Sequence, residues 1–307
     1  MHTALLFPGQ GAQRPGFLGR LPPHAVVRAT LAEAGATLGL DPAALDDATA
    51  LRSTAAVQLS TVTAAVAVAR ALLAEGVAAD AVAGLSVGAF AAAVICGALS
   101  FADALQLVRL RAECMARAAP AGYGMSAIVG LTERAARGLV ARVAARRPLY
   151  LASVNAPSEV VVSGDEAALA LAAAEAQAVG AATQRLQVSI PSHCPLMEPV
   201  SARLRTALAG VPLARPRLPY VSNHRARLAR EARDVAEDLV LNVSRTVRWL
   251  DSVTLLHELG CRTYIETPPG KVLSNLLRAS LSEVCAVPLE EVPLATARRM
   301  AQRVRRR

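Results

Sequence analysis

The 307 residues are 53% hydrophobic and 19% charged, a balance that fills a complete core and excludes a disordered chain. A formal charge of +9 invites a nucleic-acid reading, but aromatic residues are only 3%, too few for base-stacking platforms. Lys271 is the one lysine among 33 basic residues, so the charge reflects a drift toward arginine and alanine; such a surface suits an acidic carrier protein or a phosphorylated coenzyme.

Met1–Gly9 has neither a basic n-region nor a small-residue cleavage site, which predicts a cytoplasmic protein. Strand Ala4–Phe7 runs into a glycine-rich turn, Pro8-Gly9-Gln10-Gly11-Ala12-Gln13, and a long helix is predicted from Thr54 to Glu75, stopped by Gly76. A brief strand, Ala81–Ala83, leads through Gly84-Leu85-Ser86-Val87-Gly88 into an alanine-rich helix ending near Cys96. The apolar runs Val62–Ala69 and Val87–Leu99 are too short to span a bilayer and read as buried helix, so no membrane partner is expected.

Ser100 is a good N-cap for the next helix, with Asp103 three residues on. At 100° per residue, Phe101, Leu105, Val108, Ala112 and Met115 form one apolar stripe. Arg109 falls on the polar side with Gln106 and Glu113 and reads as solvated. Arg111 falls between the stripe and Leu107/Cys114, where a charge needs a partner.

From Met125 the pattern changes to strand Met125–Gly130, helix Thr132–Arg146, strand Leu149–Val154, a turn at Asn155-Ala156-Pro157-Ser158, strand Val160–Ser163, helix Glu166–Val179 and strand Thr183–Val188. That βαββαβ order is the ferredoxin-like unit, inserted here between two stretches of parallel α/β pattern. Helices over about Pro195–Ala209, Asp234–Leu241 and Val247–Leu259 follow, with strands near Tyr220–Ser222 and over Cys261–Glu266. The turn Thr267-Pro268-Pro269-Gly270 and helix Val272–Ala279 complete the readable pattern. Six arginines between Arg298 and Arg307 read as a solvated, frayed terminus. Five scattered cysteines without a C-x-x-C pair predict free thiols and no zinc site, and Cys194 beside His193 is not read as a catalytic dyad.

Gly84-Leu85-Ser86-Val87-Gly88 matches G-x-S-x-G, a pentapeptide expected by chance only roughly 0.07 times in a chain of this composition. A strand before it and a helix after it fit a nucleophile elbow, in which flanking glycines permit a strained turn and keep bulk off the serine oxygen. The Val87 amide, at a helix N-terminus, is placed to hold an oxyanion. The plainer alternative is a tight β–α turn with an N-capping serine.

Phe7-Pro8-Gly9-Gln10-Gly11, the Ser86 elbow, Leu107–Arg111, Asn155-Ala156-Pro157, Ile190-Pro191-Ser192-His193-Cys194 and Glu266–Leu273 occur together in this order. This set resembles the malonyl-CoA:acyl-carrier-protein transacylases and the acyltransferase domains of polyketide synthases, from about Ala4 to Leu277. The resemblance implies a hydrolase-like α/β core over 1–123 and 191–307 with a ferredoxin-like subdomain over 124–190. It further implies Ser86 as nucleophile, His193 as base, the Gln10 and Val87 amides as oxyanion hole, and Arg111 as a bidentate clamp for the malonyl carboxylate. Asn155 is either a turn residue or a group near the site. The family orients its histidine with a main-chain carbonyl, so no third triad member is named. Its Asn-Pro-Val-x-Trp segment reads here as Arg245-Thr246-Val247-Arg248-Trp249.

The fatty-acid enzymes usually carry Gly-His-Ser-Leu-Gly-Glu at the elbow. Leu85 and Ala89 in place of His and Glu, with Phe90 and Val94–Leu99, look like the epsilon subunit of malonate decarboxylase, which loads malonyl from malonyl-CoA onto a carrier bearing phosphoribosyl-dephospho-coenzyme A. The expected partners are therefore malonyl-CoA, an acyl carrier protein and the other decarboxylase subunits, with no permanently bound cofactor. A fatty-acid-synthesis transacylase, a thioesterase or esterase on the same serine and histidine, and a silent docking subunit are the competing readings.

Overall fold

The computed structural model describes residues 1–305. The first half of the core comprises β1 (Thr3–Phe7), α1 (Ala25–Leu38), α2 (Thr54–Ala74), β2 (Ala81–Gly84), α3 (Gly88–Ile95) and α4 (Phe101–Ala118). The chain then leaves the core for β3 (Tyr123–Val129), α5 (Glu133–Ala144), β4 (Leu149–Ala156), β5 (Glu159–Asp165), α6 (Glu166–Ala178) and β6 (Ala182–Arg185). It returns through α7 (Glu198–Leu208), β7 (Tyr220–Val221), β8 (Leu228–Ala229), α8 (Ala232–Leu241) and α9 (Trp249–Glu258). It closes with β9 (Thr263–Glu266), α10 (Val272–Ser280), β10 (Cys285–Pro288) and α11 (Leu294–Arg305).

The core sheet has six strands in the order β10-β9-β1-β2-β7-β8, parallel throughout except for the β7–β8 edge pair. Every residue of β1, β2 and β9 is buried, because helices cover both faces of a parallel sheet. Helix α2 has the length and apolar character of a membrane span, yet it packs inside the protein against α1, α3 and α4. A helix apolar on all sides is stable only in such a place.

The second sheet is antiparallel, in the order β4-β5-β3-β6, which is the ferredoxin-like arrangement for a βαββαβ chain. Helices α5 and α6 cover one of its faces around Ile128, Leu139, Val143, Val160 and Val162. The sheet is tied to the core by the segment after α8: Val154 N–H donates to Val247 O and Val247 N–H to Ala152 O, both at 2.9 Å. Thr246 Oγ1 adds a bond to Leu151 O at 2.8 Å.

Several elements differ from the sequence reading. Helix α1 was not anticipated; His24 caps it by accepting the Val26 amide, an unusual N-cap residue, and Gly39 ends it at φ +69°. Arg109, expected in solvent, donates Nη2 to Leu38 O at the end of that helix, at 2.9 Å. Strand β4 runs through Asn155 and Ala156, so the hairpin turn begins only at Pro157. Strand β6 ends at Arg185 and not at Val188. The arginine-rich terminus is helical to Arg305, burying Ala297 and Ala301, with Arg298 Nη1 3.4 Å from Glu75 Oε2. Arg306 and Arg307 lie outside the described residues.

Candidate active site

The site lies where the loops after β1 and β2 emerge side by side at the carboxyl ends of two parallel strands, the usual crevice of an open α/β sheet. Ser86 sits at φ +55°, a left-handed conformation that costs a non-glycine residue about 1–3 kcal/mol and needs outside support. Close approach of backbone supplies part of it. A Cβ on Gly84 would lie 2.2 Å from the Gly88 carbonyl, and one on Gly88 would lie 2.2 Å from Phe7 O. Leu85 N–H donates to Phe7 O at 2.9 Å, and Ser86 N–H donates to Asn223 Oδ1 at 2.9 Å.

Helix α4 delivers Arg111 to the serine, 1% exposed. Its Nη2 donates to Ser86 Oγ at 3.1 Å and its Nη1 to Gln58 Oε1 at 2.6 Å. The Nε–H is buried with no acceptor, and among the described residues no carboxylate lies within ion-pair distance of the guanidinium. Burial lowers its pKa to about 9, which leaves it charged at neutral pH. Gln58 comes from the buried helix α2 and also donates Nε2 to Gln10 Oε1 at 3.4 Å. A polar chain therefore links the glycine-rich turn to the nucleophile through Gln58 and Arg111.

His193 has φ +60°, its N–H donating to Val243 O at 2.7 Å and its Nδ1 bonded to the Asn242 carbonyl. A carbonyl partner can only accept, so Nδ1 carries the proton and Nε2 is the free base. Burial lowers the His193 pKa to about 4, and the nearby Arg111 charge adds to this; the main chain at Asn242 and Arg245 pulls the other way. The small subdomain braces the segment, since Ser163 Oγ donates to Ser192 O at 3.1 Å and Ser192 Oγ faces Met125 Sδ at 3.2 Å. Ser86 Oγ is engaged by Arg111 and makes no hydrogen bond with His193 here; such bonds commonly tighten only with substrate in place. Cys194 is buried with its thiol pKa pushed up, an inert environment.

Ser86, His193, Arg111, Gln10 and Val87 thus belong to one neighbourhood. Asn155 does not join it by hydrogen bond: its side chain accepts from Ser153 Oγ and donates to Glu159 Oε1, both within the small sheet. The sequence reading missed Gln58, Asn223, Asp238 and Asn242. Gln58 stands among the small and apolar residues that open α2 and Asp238 on the apolar face of α8 beside Val235 and Leu239; both were visible anomalies. A cleft of about 340 Å³ opens beside His193, between α5–β4 of the small subdomain and Ser244–Thr246, with Arg137 and Arg245 on its walls.

The family model for the acyl transferase domain matches residues 4–302. The malonyl CoA-acyl carrier protein transacylase of Salmonella typhimurium is 35% identical over 295 residues, 94% of this chain and 96% of that protein. The crystal structure of the acyl-carrier-protein S-malonyltransferase from Burkholderia pseudomallei 1710b superposes with a TM-score of 0.92 at 35% identity, covering 98% of this chain and all of that one. A malonyl-transacylase in complex with its type II PKS acyl-carrier protein superposes with a TM-score of 0.91 at 32% identity, covering 98% of this chain and 100% of that chain.

Proposed function

The chain belongs to the acyl transferase domain family and is an acyltransferase, and from that premise we propose that it moves a malonyl group from malonyl-CoA to a carrier-protein thiol through a malonyl-Ser86 intermediate. The observation that carries this reading is Arg111, a buried guanidinium without a carboxylate partner among the described residues, hydrogen-bonded to the nucleophile and retaining an unused Nε–H. A fork of donors in a buried site is matched by a planar carboxylate, and malonyl is an acyl group that brings one.

Ser86 Oγ attacks the thioester carbon while His193 Nε2 takes its proton, and the new oxyanion faces the amides of Val87 and Gln10. One such donor contributes on the order of 10²–10³ in rate. Collapse breaks the C–S bond, and the imidazolium returns its proton to the leaving sulfur. The carrier thiol then repeats the sequence in reverse. On this reading the thioester arm lies in the cleft that His193 lines, with Arg137 and Arg245 beside it for the anionic groups of either carrier.

The residues 124–190 are taken as the small subdomain and 1–123 with 191–307 as the catalytic core. Within this activity, the Leu85 and Ala89 elbow supports the transacylase of malonate decarboxylase, a cytoplasmic partner of that complex's carrier subunit, over fatty-acid synthesis. Five unpaired thiols, four of them buried, suit such a reducing compartment.

Intact-protein mass spectrometry after brief incubation with malonyl-CoA tests the mechanism. A malonyl adduct on the wild type and none on Ser86→Ala is expected; no adduct on either overturns it. Release of the adduct to water faster than to thiol would make the protein a hydrolase. Rates onto a phosphopantetheine carrier and onto one bearing phosphoribosyl-dephospho-coenzyme A separate the two pathways, the second being faster on this reading.

A further inference from the structure

Resting on the serine–histidine reading above, we propose that Asp238 is the positioning residue that makes helix α8 a common support for nucleophile and base. Its carboxylate is fully buried, with donors of Tyr220, Asn223 and His224 around it, the His224 N–H at 3.4 Å from Oδ1 among them. Oδ2 accepts from Tyr220 O–H at 2.6 Å and from Asn223 Nδ2 at 3.1 Å. Oδ1 accepts the Asn223 N–H at 2.7 Å and faces His224 Nδ1 at 3.0 Å. A carboxylate only accepts, so Asn223 must turn its NH₂ toward Asp238 and its Oδ1 toward Ser86, where it receives the Ser86 N–H at 2.9 Å. The orientation of the Asn223 side chain, which grips the elbow's main chain, is thereby decided by Asp238.

The same helix holds the base. One turn on, Asn242 N–H donates to Asp238 O at 2.9 Å, the Asn242 carbonyl binds His193 Nδ1, and the next carbonyl, of Val243, takes the His193 N–H. Ser86 and His193 are two of the four non-glycine residues at positive φ in the described chain, and both are clamped by α8 and its end. Two anchor points four residues apart on a helix are separated by a fixed rise of about 6 Å. A strained serine and a strained histidine are therefore held against one rigid element, although 107 positions of sequence lie between them (193 − 86). No arginine or lysine pairs with Asp238 among the described residues, so its charge also remains to favour the imidazolium that His193 becomes during acylation.

A carboxylate that merely stabilises the fold would, when lost, lower melting temperature and leave each folded site at full rate. The test uses the full chain as wild type, Asp238→Asn, Asn223→Ala, the double variant and Tyr220→Phe. Acylation by malonyl-CoA is followed by rapid quench and normalised to sites titrated at the end point. Asp238→Asn and Asn223→Ala are each expected to slow acylation about 10-fold or more, with KM for malonyl-CoA within about two-fold. The double variant should be no slower than Asn223→Ala, because both act through one link. Wild-type rate per titrated site in Asp238→Asn, or losses that multiply in the double variant, overturns the proposal. Should Asp238→Asn fail to fold, Asn223→Ala and Tyr220→Phe decide it: a slowed Asn223→Ala with a smaller loss in Tyr220→Phe supports it, and wild-type rates in both overturn it. A wild type that takes up no malonyl label sinks the acyl-serine reading instead.

Discussion

Arg111 Nη2 and Ser86 Oγ are 3.1 Å apart, so the group proposed to bind the substrate's carboxylate already touches the oxygen proposed to attack its carbonyl. Malonyl places a carboxylate and a thioester carbon on either side of one methylene, and this short spacing matches that span. The guanidinium stays charged in a site where desolvation opposes it, and it is relieved only by an anion.

Arg111→Ala should therefore slow malonyl transfer severely, by about 3–5 kcal/mol or on the order of 10²–10⁴-fold, while sparing or raising acetyl transfer. Arg111→Lys keeps a charge but loses the fork, and should fall between the two. Steady-state transfer from malonyl-CoA and acetyl-CoA measures both. Equal losses for the two acyl groups would remove Arg111 from carboxylate recognition.

Gln58, fully buried on α2, fixes Arg111 by accepting Nη1 at 2.6 Å. Gln58→Leu should free the guanidinium to rotate and strand an N–H, a loss of about 1.5–3 kcal/mol for a bond to a charged group. Malonyl transfer is expected to fall about 10-fold or more, and acetyl transfer to change less. An identical effect on both substrates would assign Gln58 to packing alone.

The parts of this protein legible in the sequence are those governed by local rules. Ser86 announced itself by flanking glycines and a strand-to-helix context, and Arg111 by its angle on an amphipathic helix, because both signals lie within a few residues. What escaped depended on distant partners. Gln58 meets Arg111 across 53 positions, and Asn223 meets Ser86 across 137, separations that no periodicity encodes. Arg109 was misplaced for the same reason: its acceptor is the end of α1, and α1 itself was hidden by its alanines and its histidine cap. Asn155 was read into a turn because Pro157 follows closely, whereas cross-strand pairing carries β4 through it to Ala156.

Gly88 is the point where the elbow meets β1. A methyl there would lie 2.2 Å from Phe7 O and 2.7 Å from Pro8 O, both backbone atoms that cannot swing aside. Gly88→Ala must separate the loops after β1 and β2, so it should destabilise the fold by about 1–3 kcal/mol or more and disorder the Ser86 main chain. Thermal denaturation together with malonyl labelling checks this. Normal stability with full labelling would show that the two loops can part without harm.

The pH dependence of acylation follows from His193. Its pKa lies near 4, so the ring is neutral and basic at pH 7, and kcat/KM should stay level from neutrality to about pH 5 before falling with a midpoint near 4. Burial is the larger cause and the Arg111 charge the second, so Arg111→Ala should move this acid limb to higher pH without reaching the ordinary histidine value of 6.5. A bound malonyl carboxylate would neutralise the same charge, so the limb of kcat should lie above that of kcat/KM for malonyl-CoA but not for acetyl-CoA. Stability carries the matching sign. The unfolded chain protonates His193 first as pH falls below 6.5, so the native state loses stability from there down to about 4, and His193→Gln should flatten that part of the curve. Acid limbs that coincide in wild type and Arg111→Ala would mean that Arg111 does not act on the base.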